Sequence, residues 1–267
     1  RRERLPPSGA RPLKGLVSWG RQRRYHPEAS HTVSRDRSKD PPKSASAFMR
    51  ELQNDPDHAA RMRELERQRN EHIESYRRAA KPLIEELAAH GLRVDTVGEL
   101  RHRGMDYAKA VPSLIRWLPQ ISDGAVKEDI VRSLSVPWAK PMAAAPLIEE
   151  FTRANDPTGD GIRWAIANGL AVVADESVLE ELAGLVRDRR NGKARKMLAL
   201  ALANIDNSRS IELLMALLDD EQTVGHAIMA LGKLKAVSAR GRLESLTRHP
   251  TKWVRDEARK ALVRIES

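Results

Sequence analysis

Four positively charged residues recur at one position of a repeated amphipathic pattern, which makes them the leading candidates for binding chemistry. Each follows the first apolar residue of a helical stretch, and the four are Lys127, Arg163, Arg195 and Arg255. Stacked side by side, they would form a basic ladder for an acidic protein surface or a phosphate backbone. The alternative is a structural role, because such side chains can bond carbonyls or capping carboxylates, such as Asp123 or Asp220, of the adjoining repeat.

Trp164 is the aromatic candidate for the same surface. It follows Arg163 at a position where the neighbouring repeats carry the polar residues Glu128, Lys196 and Asp256. We expect this position to face outward, where a Trp beside an Arg could be an interaction hot spot or a base-stacking platform. In the alternative, the ring packs over the next repeat. The predicted partner-binding set is therefore Lys127, Arg163, Trp164, Arg195 and Arg255.

Residues suited to catalysis or metal binding are sparse. The absence of Cys excludes disulfides, thiolate zinc sites and Cys nucleophiles, and no two of the eight His have metal-ligand spacing. The carboxylate pairs Glu85-Glu86 and Glu149-Glu150 are typical of a solvated helix face. Asp156 and Asp160 lack the spacing of a calcium loop, so a plain turn is predicted there. The sequence predicts no catalytic residue, no metal and no cofactor.

The net charge of +10 is concentrated near the N-terminus. Residues 1–47 contain twelve Lys and Arg against four Asp and Glu, whereas the remaining residues contain thirty-five against thirty-three. The segment 1–47 is rich in Pro, Ser and Arg without a sustained apolar period, which predicts a disordered basic segment outside the fold. Such a segment could hold phosphates loosely, but the nearly neutral remainder argues against nucleic acid as the main partner.

The rest of the chain repeats with a period of 32 residues. Six aliphatic residues follow one another at this spacing: Leu83, Ile115, Leu147, Leu179, Ile211 and Leu243. A further Leu follows three residues later in four of the repeats, which is the spacing of one helix face. A period of this length is typical of solenoid proteins, in which each unit buries its apolar face against its neighbours.

A second helix is predicted in each of the last five units. The helices align on Leu134, Leu170, Leu202, Leu231 and Leu262, with apolar or small residues four and eight positions earlier. Residue types that cap helix N-termini precede these stripes, namely Asp123, Gly159, Asn191, Asp220 and Thr251. Each unit should therefore be a helical hairpin, and the last helix should pack backward onto 225–234.

A long polar helix is predicted before the repeats. Asp55 and Pro56 have the residue types of an N-cap and a first helical position. Pro82 should break or kink this helix, and Gly91 should end the following segment. The predicted domains are a disordered basic segment at 1–47, a polar helix at 48–80 and a repeat domain at 81–267.

The stretch WVRDEARKALVRI, residues 253–265, resembles the second helix of HEAT repeats of the phycobilisome-lyase type, and IRWAIANGL resembles it as well. The block from Phe48 onward is similar to bacterial HEAT-repeat proteins of unassigned function. The resemblance implies an all-α fold, a right-handed α-solenoid of the HEAT/ARM type with about five to six helical hairpins. It implies a binding surface and no particular reaction.

We therefore expect a non-catalytic scaffold that binds a protein partner along the inner groove, in the cytoplasm and away from membranes. A nucleic-acid-binding or repair protein similar to the HEAT-fold alkylpurine DNA glycosylases is the alternative. It would need a basic cleft that gathers an aromatic ring, a carboxylate and an Arg, and Trp164, Asp160 and Arg163 are the local candidates. A bilin lyase is a third hypothesis, which rests on the repeat type alone.

Overall fold

The computed structural model describes residues 44–46, 49, 54–102 and 104–267. The chain divides into two compact units, Arg1–Ala59 and Ala60–Ser267. Most of the predicted basic segment, 1–47, lies outside the described residues, so its predicted disorder stays a prediction. The described residues contain helices and no strand. None of these helices combines the length and the apolar character that crossing a bilayer requires.

Helices account for most of the described chain. In order, they are α1 Pro56–Ala89, α2 Glu99–His102, α3 Val111–Trp117, α4 Gly124–Leu134, α5 Ala144–Arg153, α6 Ile162–Val173, α7 Leu179–Arg187, α8 Arg195–Leu202, α9 Ser208–Ala216, α10 Val224–Lys233, α11 Arg240–Leu246 and α12 Lys252–Glu266. Short 3-10 turns lie in several of the connections between them. From α3 onward the helices alternate as first and second members of five hairpins.

The hairpins stack through their second helices. Each first helix packs on the second helix of its own hairpin, and α4, α6, α8, α10 and α12 pack on one another in succession. The first helix of a hairpin covers only one face of the second helix, and the neighbouring hairpin covers the other face. This arrangement is the α-solenoid that the 32-residue period predicts. A sixth hairpin is not complete, because only the four-residue α2 lies between α1 and α3.

Burial follows the predicted period. Leu83, Leu147 and Leu243 are fully buried, while Ile115, Leu179 and Ile211 are half-buried and pack against the core. The second helices likewise bury the aligned stripe, from Val126, Ile130 and Leu134 in α4 to Val254 and Ala258 in α12. Burial of aliphatic side chains of this size contributes about 1.5–3 kcal/mol each. The repeated stripe therefore supplies the main stabilising interaction between hairpins.

Helix α1 begins as predicted and continues further than predicted. Asp55 accepts a hydrogen bond from the Asp57 amide at 2.9 Å, and Pro56 is the first helical residue. The helix runs through Pro82 to Ala89, so the predicted break at Pro82 is wrong, while the predicted alternative of a kink stays a prediction. Leu83 and Leu87 are buried on this segment, and that packing holds the helix together across the missing N–H of the proline. Gly91, with φ +79°, ends it as predicted.

The predicted N-cap positions are correct at Asp123 and Thr251 and displaced at the other three. Asp123 accepts hydrogen bonds from the amides of Ala125 and Val126, as an N-cap should. Thr251 precedes α12 without a side-chain cap bond. Helices α6, α8 and α10 instead begin after Gly161, Ala194 and Thr223, so the caps predicted at Gly159, Asn191 and Asp220 are wrong. Gly159 and Asn191 instead lie where two loops meet, and Asp220 pairs with Arg195 of α8, as described below.

The last helix packs backward on α10, as predicted. Two glycines of α10 allow the close approach, because a Cβ on Gly225 would lie 1.9 Å from the Trp253 ring and one on Gly232 would lie 2.8 Å from the Ala261 Cβ. The Trp253 ring lies over this surface with 45% of the residue exposed, and its centroid is 5.3 Å from that of His226. His226 is thus enclosed between α10 and α12.

Enclosure of His226 predicts a pH-dependent stability. Burial, aided by the charge of Lys196 and opposed by Glu257, lowers the pKa of His226 to about 4. The unfolded chain takes up this proton near its ordinary value of 6.5 and the folded chain does not, so stability should fall as pH drops from 6.5 toward 4. We expect His226→Gln to flatten this part of the profile, measured as the free energy of unfolding in urea.

The matched control is His102→Gln, which replaces an exposed imidazole. This variant should keep the wild-type slope between pH 6.5 and 4. An unchanged slope in His226→Gln would show that other groups cause the acid sensitivity.

Candidate functional site

The basic ladder predicted from the sequence has its donors turned toward the protein. Arg163 in α6 donates through Nε to the Phe151 carbonyl at 3.3 Å and through Nη1 to Asn191 Oδ1 at 3.2 Å. Its guanidinium carbon also lies 5.3 Å from the centroid of the Phe151 ring. Phe151 belongs to the last turn of α5 in the same hairpin, and Asn191 belongs to the next hairpin. Arg163 therefore ties a helix C-terminus to the neighbouring repeat.

Arg195 makes the same connection one repeat later and is almost completely buried, with 3% of the residue exposed. Its Nε donates to the Val186 carbonyl in the last turn of α7 at 2.7 Å. Its Nη1 lies 2.8 Å from Asp220 Oδ2 and 3.2 Å from Gln222 Oε1, both in the next hairpin. Burial would raise the pKa of Asp220, but the hydrogen bonds from Arg195 and the Gln222 amide hold it below its ordinary value.

The other two members of the ladder are also paired. Lys127 forms an ion pair with Glu150, a buried carboxylate of the next hairpin. Arg255 donates through Nη1 to the carbonyls of His249 and Pro250, each at 2.7 Å. The bonds of these four side chains agree with the structural role that the sequence offered as the alternative. Of the two carboxylates named there, Asp220 pairs with Arg195, whereas Asp123 caps α4. Contact between these side chains and a partner stays a prediction.

Trp164 is half-buried and packs against the core, so only part of its ring is available to a partner. Asp160 is exposed and pairs with Lys193 at 2.7 Å. Arg163 is directed at Phe151 and Asn191, as described above. Within the described part of the chain, no hydrogen bond or ion pair joins Trp164, Asp160 and Arg163 to one another. The predicted glycosylase trio is therefore not organised by contacts among its own members.

The loop before α6 is ordered by a buried carboxylate. Asp156 accepts hydrogen bonds from the amides of Gly159, Gly161 and Arg163 at 2.9–3.1 Å, and from the Thr158 hydroxyl. Burial opposes its ionisation, but these donors lower the pKa of Asp156 overall. The turn predicted from the sequence is present, and its carboxylate satisfies the free amides at the start of α6.

Two loops of successive hairpins interlock beside Asp156. Gly159 and Gly192 have φ values of +62° and +52°. A Cβ on Gly159 would lie 2.1 Å from the Asn191 carbonyl oxygen, and a Cβ on Gly192 would lie 2.2 Å from that of Thr158. The Lys193 amide donates to the same Thr158 carbonyl at 3.2 Å. Only glycine satisfies both the left-handed conformation and the close backbone approach here.

A shallow groove lies on the second-helix layer, toward the C-terminal ends of the helices, and has a volume of about 380 Å³. Helices α6, α8, α10 and α12, together with the turn after α8, supply its lining. The lining residues are Ala171, Leu200, Ala203, Met229, Ala230, Lys233 and Arg264. Small and aliphatic side chains form its floor, and two cations stand beside it. The arrangement can accept an apolar side chain and an anion, and it contains no acid–base pair for catalysis.

Lys233 lies at the exposed rim of the groove. Its ammonium donates to Asn204 Oδ1 at 2.6 Å. Desolvation, with a smaller contribution from repulsion by Lys140, lowers the pKa of Lys233. The partner in this contact is an uncharged amide, so the contact supplies no formal negative charge to balance the ammonium.

Sequence reasoning missed these groove residues. At the position two residues before the aligned Leu, the five second helices carry Arg132, Asn168, Leu200, Met229 and Lys260. Leu200 and Met229 are apolar where the other repeats are polar, and both are only half-buried. This departure from the repeat pattern was the available signal.

Within the part of the chain that the structure describes, no group of three or more His, Asp or Glu side chains could hold a metal ion. Comparison with known families gives a match to HEAT repeats over residues 144–225, from the first residue of α5 to the second residue of α10. The matched segment includes most of the groove floor and both interlocking loops. No curated protein matches the chain.

Proposed function

Since this chain is a HEAT-repeat protein, we propose that it is a non-catalytic interaction module that binds another protein at the groove between α6, α8, α10 and α12. HEAT repeats stack into extended surfaces that commonly serve protein binding. The lack of Cys suits a reducing compartment, and we place the protein in the cytoplasm.

The single observation that supports this site is the incomplete burial of Leu200 and Met229. Elsewhere in the second-helix layer, most large aliphatic side chains are buried by the next hairpin. Here two aliphatic side chains from adjacent helices face a concave surface floored by Ala171, Ala203 and Ala230. When a partner covers apolar surface at the bottom of a groove, the removal of that surface from water favours binding.

The role of the basic ladder in this proposal is indirect. Arg163 and Arg195 hold neighbouring hairpins at a fixed spacing through carbonyl and side-chain bonds. Because these bonds join three of the four hairpins that line the groove, their spacing helps to determine its width. Arg163 and Arg195 thus support the surface in this proposal, and the groove residues make the direct contacts.

Site-specific crosslinking tests the proposal. A photoreactive amino acid placed at Met229 should crosslink a defined protein in native lysate, and one placed at Glu212, an exposed residue of the first helix α9, should not. Leu200→Asp, introduced into the variant that carries the photoreactive amino acid at position 229, should abolish the crosslink, because a carboxylate would enter the apolar floor. Equal labelling from both positions, or a crosslink carried only by nuclease-sensitive material, would contradict the proposal.

A further inference from the structure

The groove carries positive charge and no negative charge on its own surface. Lys233 and Arg264 are among its lining residues, and no carboxylate is. Lys140, an exposed residue of the loop after α4, lies close enough for its charge to act on Lys233. None of these three cations forms an ion pair with any carboxylate that the structure describes, whereas all three carboxylates of α12 are already paired with Lys or Arg.

The helix dipole explains part of this arrangement. Lys233 and Arg264 lie in the last turns of α10 and α12, where a cation interacts favourably with the helix C-terminus at about 0.3–1 kcal/mol. The dipole explains why a cation is favourable at each of these two positions by itself. It does not neutralise several like charges gathered around an apolar floor, and the amide oxygen of Asn204 supplies only a partial negative charge to Lys233.

The apolar floor distinguishes between two kinds of anionic partner. Single-stranded nucleic acids are held by aromatic platforms on which the bases stack. The groove lining contains no aromatic residue, and its floor is made of Ala, Leu and Met side chains. Such a floor accepts an aliphatic side chain, and the adjacent cations suit carboxylates on the same segment.

Resting on the function proposed above, we infer that this groove binds an acidic amphipathic segment of a partner protein. An aliphatic side chain of that segment packs between Leu200 and Met229, and flanking carboxylates pair with Lys233 and Arg264. The partner is thereby defined by chemistry, as a peptide with Glu or Asp beside Leu, Ile, Val or Met.

Three fluorescent peptides with one shared leucine pattern test this inference on the full chain. Their polar positions carry Glu, Gln or Lys, and a random duplex DNA serves as the fourth probe. We expect the Glu peptide to bind roughly 10-fold more tightly than the Gln peptide and the Lys peptide to bind least. The advantage of the Glu peptide should shrink as salt is raised, because exposed charge pairs are screened.

A matched pair of double variants locates the effect. Lys233→Glu/Arg264→Glu reverses both groove cations, and Arg187→Glu/Arg248→Glu makes the same charge change at exposed residues outside the groove. The groove variant should lose the roughly 10-fold preference for Glu, and the control variant should keep it. The neutral variant Lys233→Gln/Arg264→Gln should lose part of the preference for the Glu peptide. The salt titration uses the unmodified protein, so its result does not depend on whether a variant folds.

The outcomes separate the two proposals. Equal binding of the Glu and Gln peptides, both abolished by Leu200→Asp, would overturn the acidic preference and leave the groove as a protein-binding site. Binding of the Glu peptide that Leu200→Asp does not change would overturn the site for both proposals. Tighter binding of DNA than of any peptide, lost in the groove variant, would replace the acidic segment with a phosphate backbone. Failure of all four probes to bind would overturn the inference about the groove, while the lysate crosslink still reports on the proposed function.

Discussion

Arg195→Ala should lower the free energy of unfolding by about 3 kcal/mol at neutral pH, in chemical denaturation. The guanidinium is almost completely buried and bonds Val186 in one helix and Asp220 and Gln222 in the next hairpin. Alanine would leave the Val186 carbonyl without this donor and Asp220 without its cation. The loss therefore combines a packing defect with an unpaired carboxylate.

The pH dependence identifies the electrostatic part of this loss. In the folded chain the pKa of Asp220 lies below its ordinary value of 3.8, so its stabilising contribution is present above that value and is lost as pH falls through the lowered pKa. The difference between wild type and Arg195→Ala should be largest near neutral pH and should decrease below about pH 4. Arg187→Ala, at an exposed residue of α7, is the control and should have little effect. A pH-independent difference would mean that packing alone accounts for the loss.

Alanine at Gly159 or Gly192 should each destabilise the protein by at least ~3 kcal/mol. Both glycines have positive φ, which costs other residues about 1–2 kcal/mol. Each new Cβ would also meet a backbone carbonyl oxygen at 2.1–2.2 Å, a distance that requires the two loops to separate. The measurement is the free energy of unfolding of each single variant and of the double variant.

Two other glycines separate conformational strain from collision. Gly104 has a φ of +60° with open space around its Cβ position, so Gly104→Ala reports strain alone. Gly184, in the middle of α7, also has open space, and Gly184→Ala should stabilise the helix by about 0.5–1 kcal/mol. The double variant Gly159→Ala/Gly192→Ala should cost less than the sum of the single variants, since either one already opens the contact. Losses no larger than that of Gly104→Ala would refute the interlocking contact.

The solenoid could be predicted from the sequence because burial itself is periodic. Leu83, Leu147 and Leu243 lie at equivalent positions, and the structure buries all three. The local caps were harder to predict, because a cap and a contact between a loop and a packed helix use the same residue types. Asn191 has the composition of a cap, yet it accepts a hydrogen bond from Arg163 and donates to Leu185. Sequence spacing does not reveal which neighbouring helix a polar side chain can reach.

The candidate site was predicted only in part. The register of basic residues was visible in the sequence, and their alternative structural role agrees with the hydrogen bonds described above. The groove was missed, because the only sequence signal was the apolar type of Leu200 and Met229 at a position that is polar in the other repeats, and that signal does not show whether the two side chains are buried. Their partial exposure depends on how far successive second helices diverge, which is a tertiary property.

The continuation of α1 through Pro82 also depends on tertiary packing, since burial of Leu83 and Leu87 outweighs the local cost of proline.

The glycine contact between the 159 and 192 loops has a consequence for recombination among repeats. A crossover that exchanges only the α5–α6 hairpin, or only the α7–α8 hairpin, would keep one of the two glycine loops and replace the other. The retained glycine would then face a loop of different sequence. Although a 32-residue period invites swapping, duplication or excision of single units, these two hairpins should be inherited as a block. A junction before α5 or after α8 keeps this glycine contact, whereas a junction between α6 and α7 removes it.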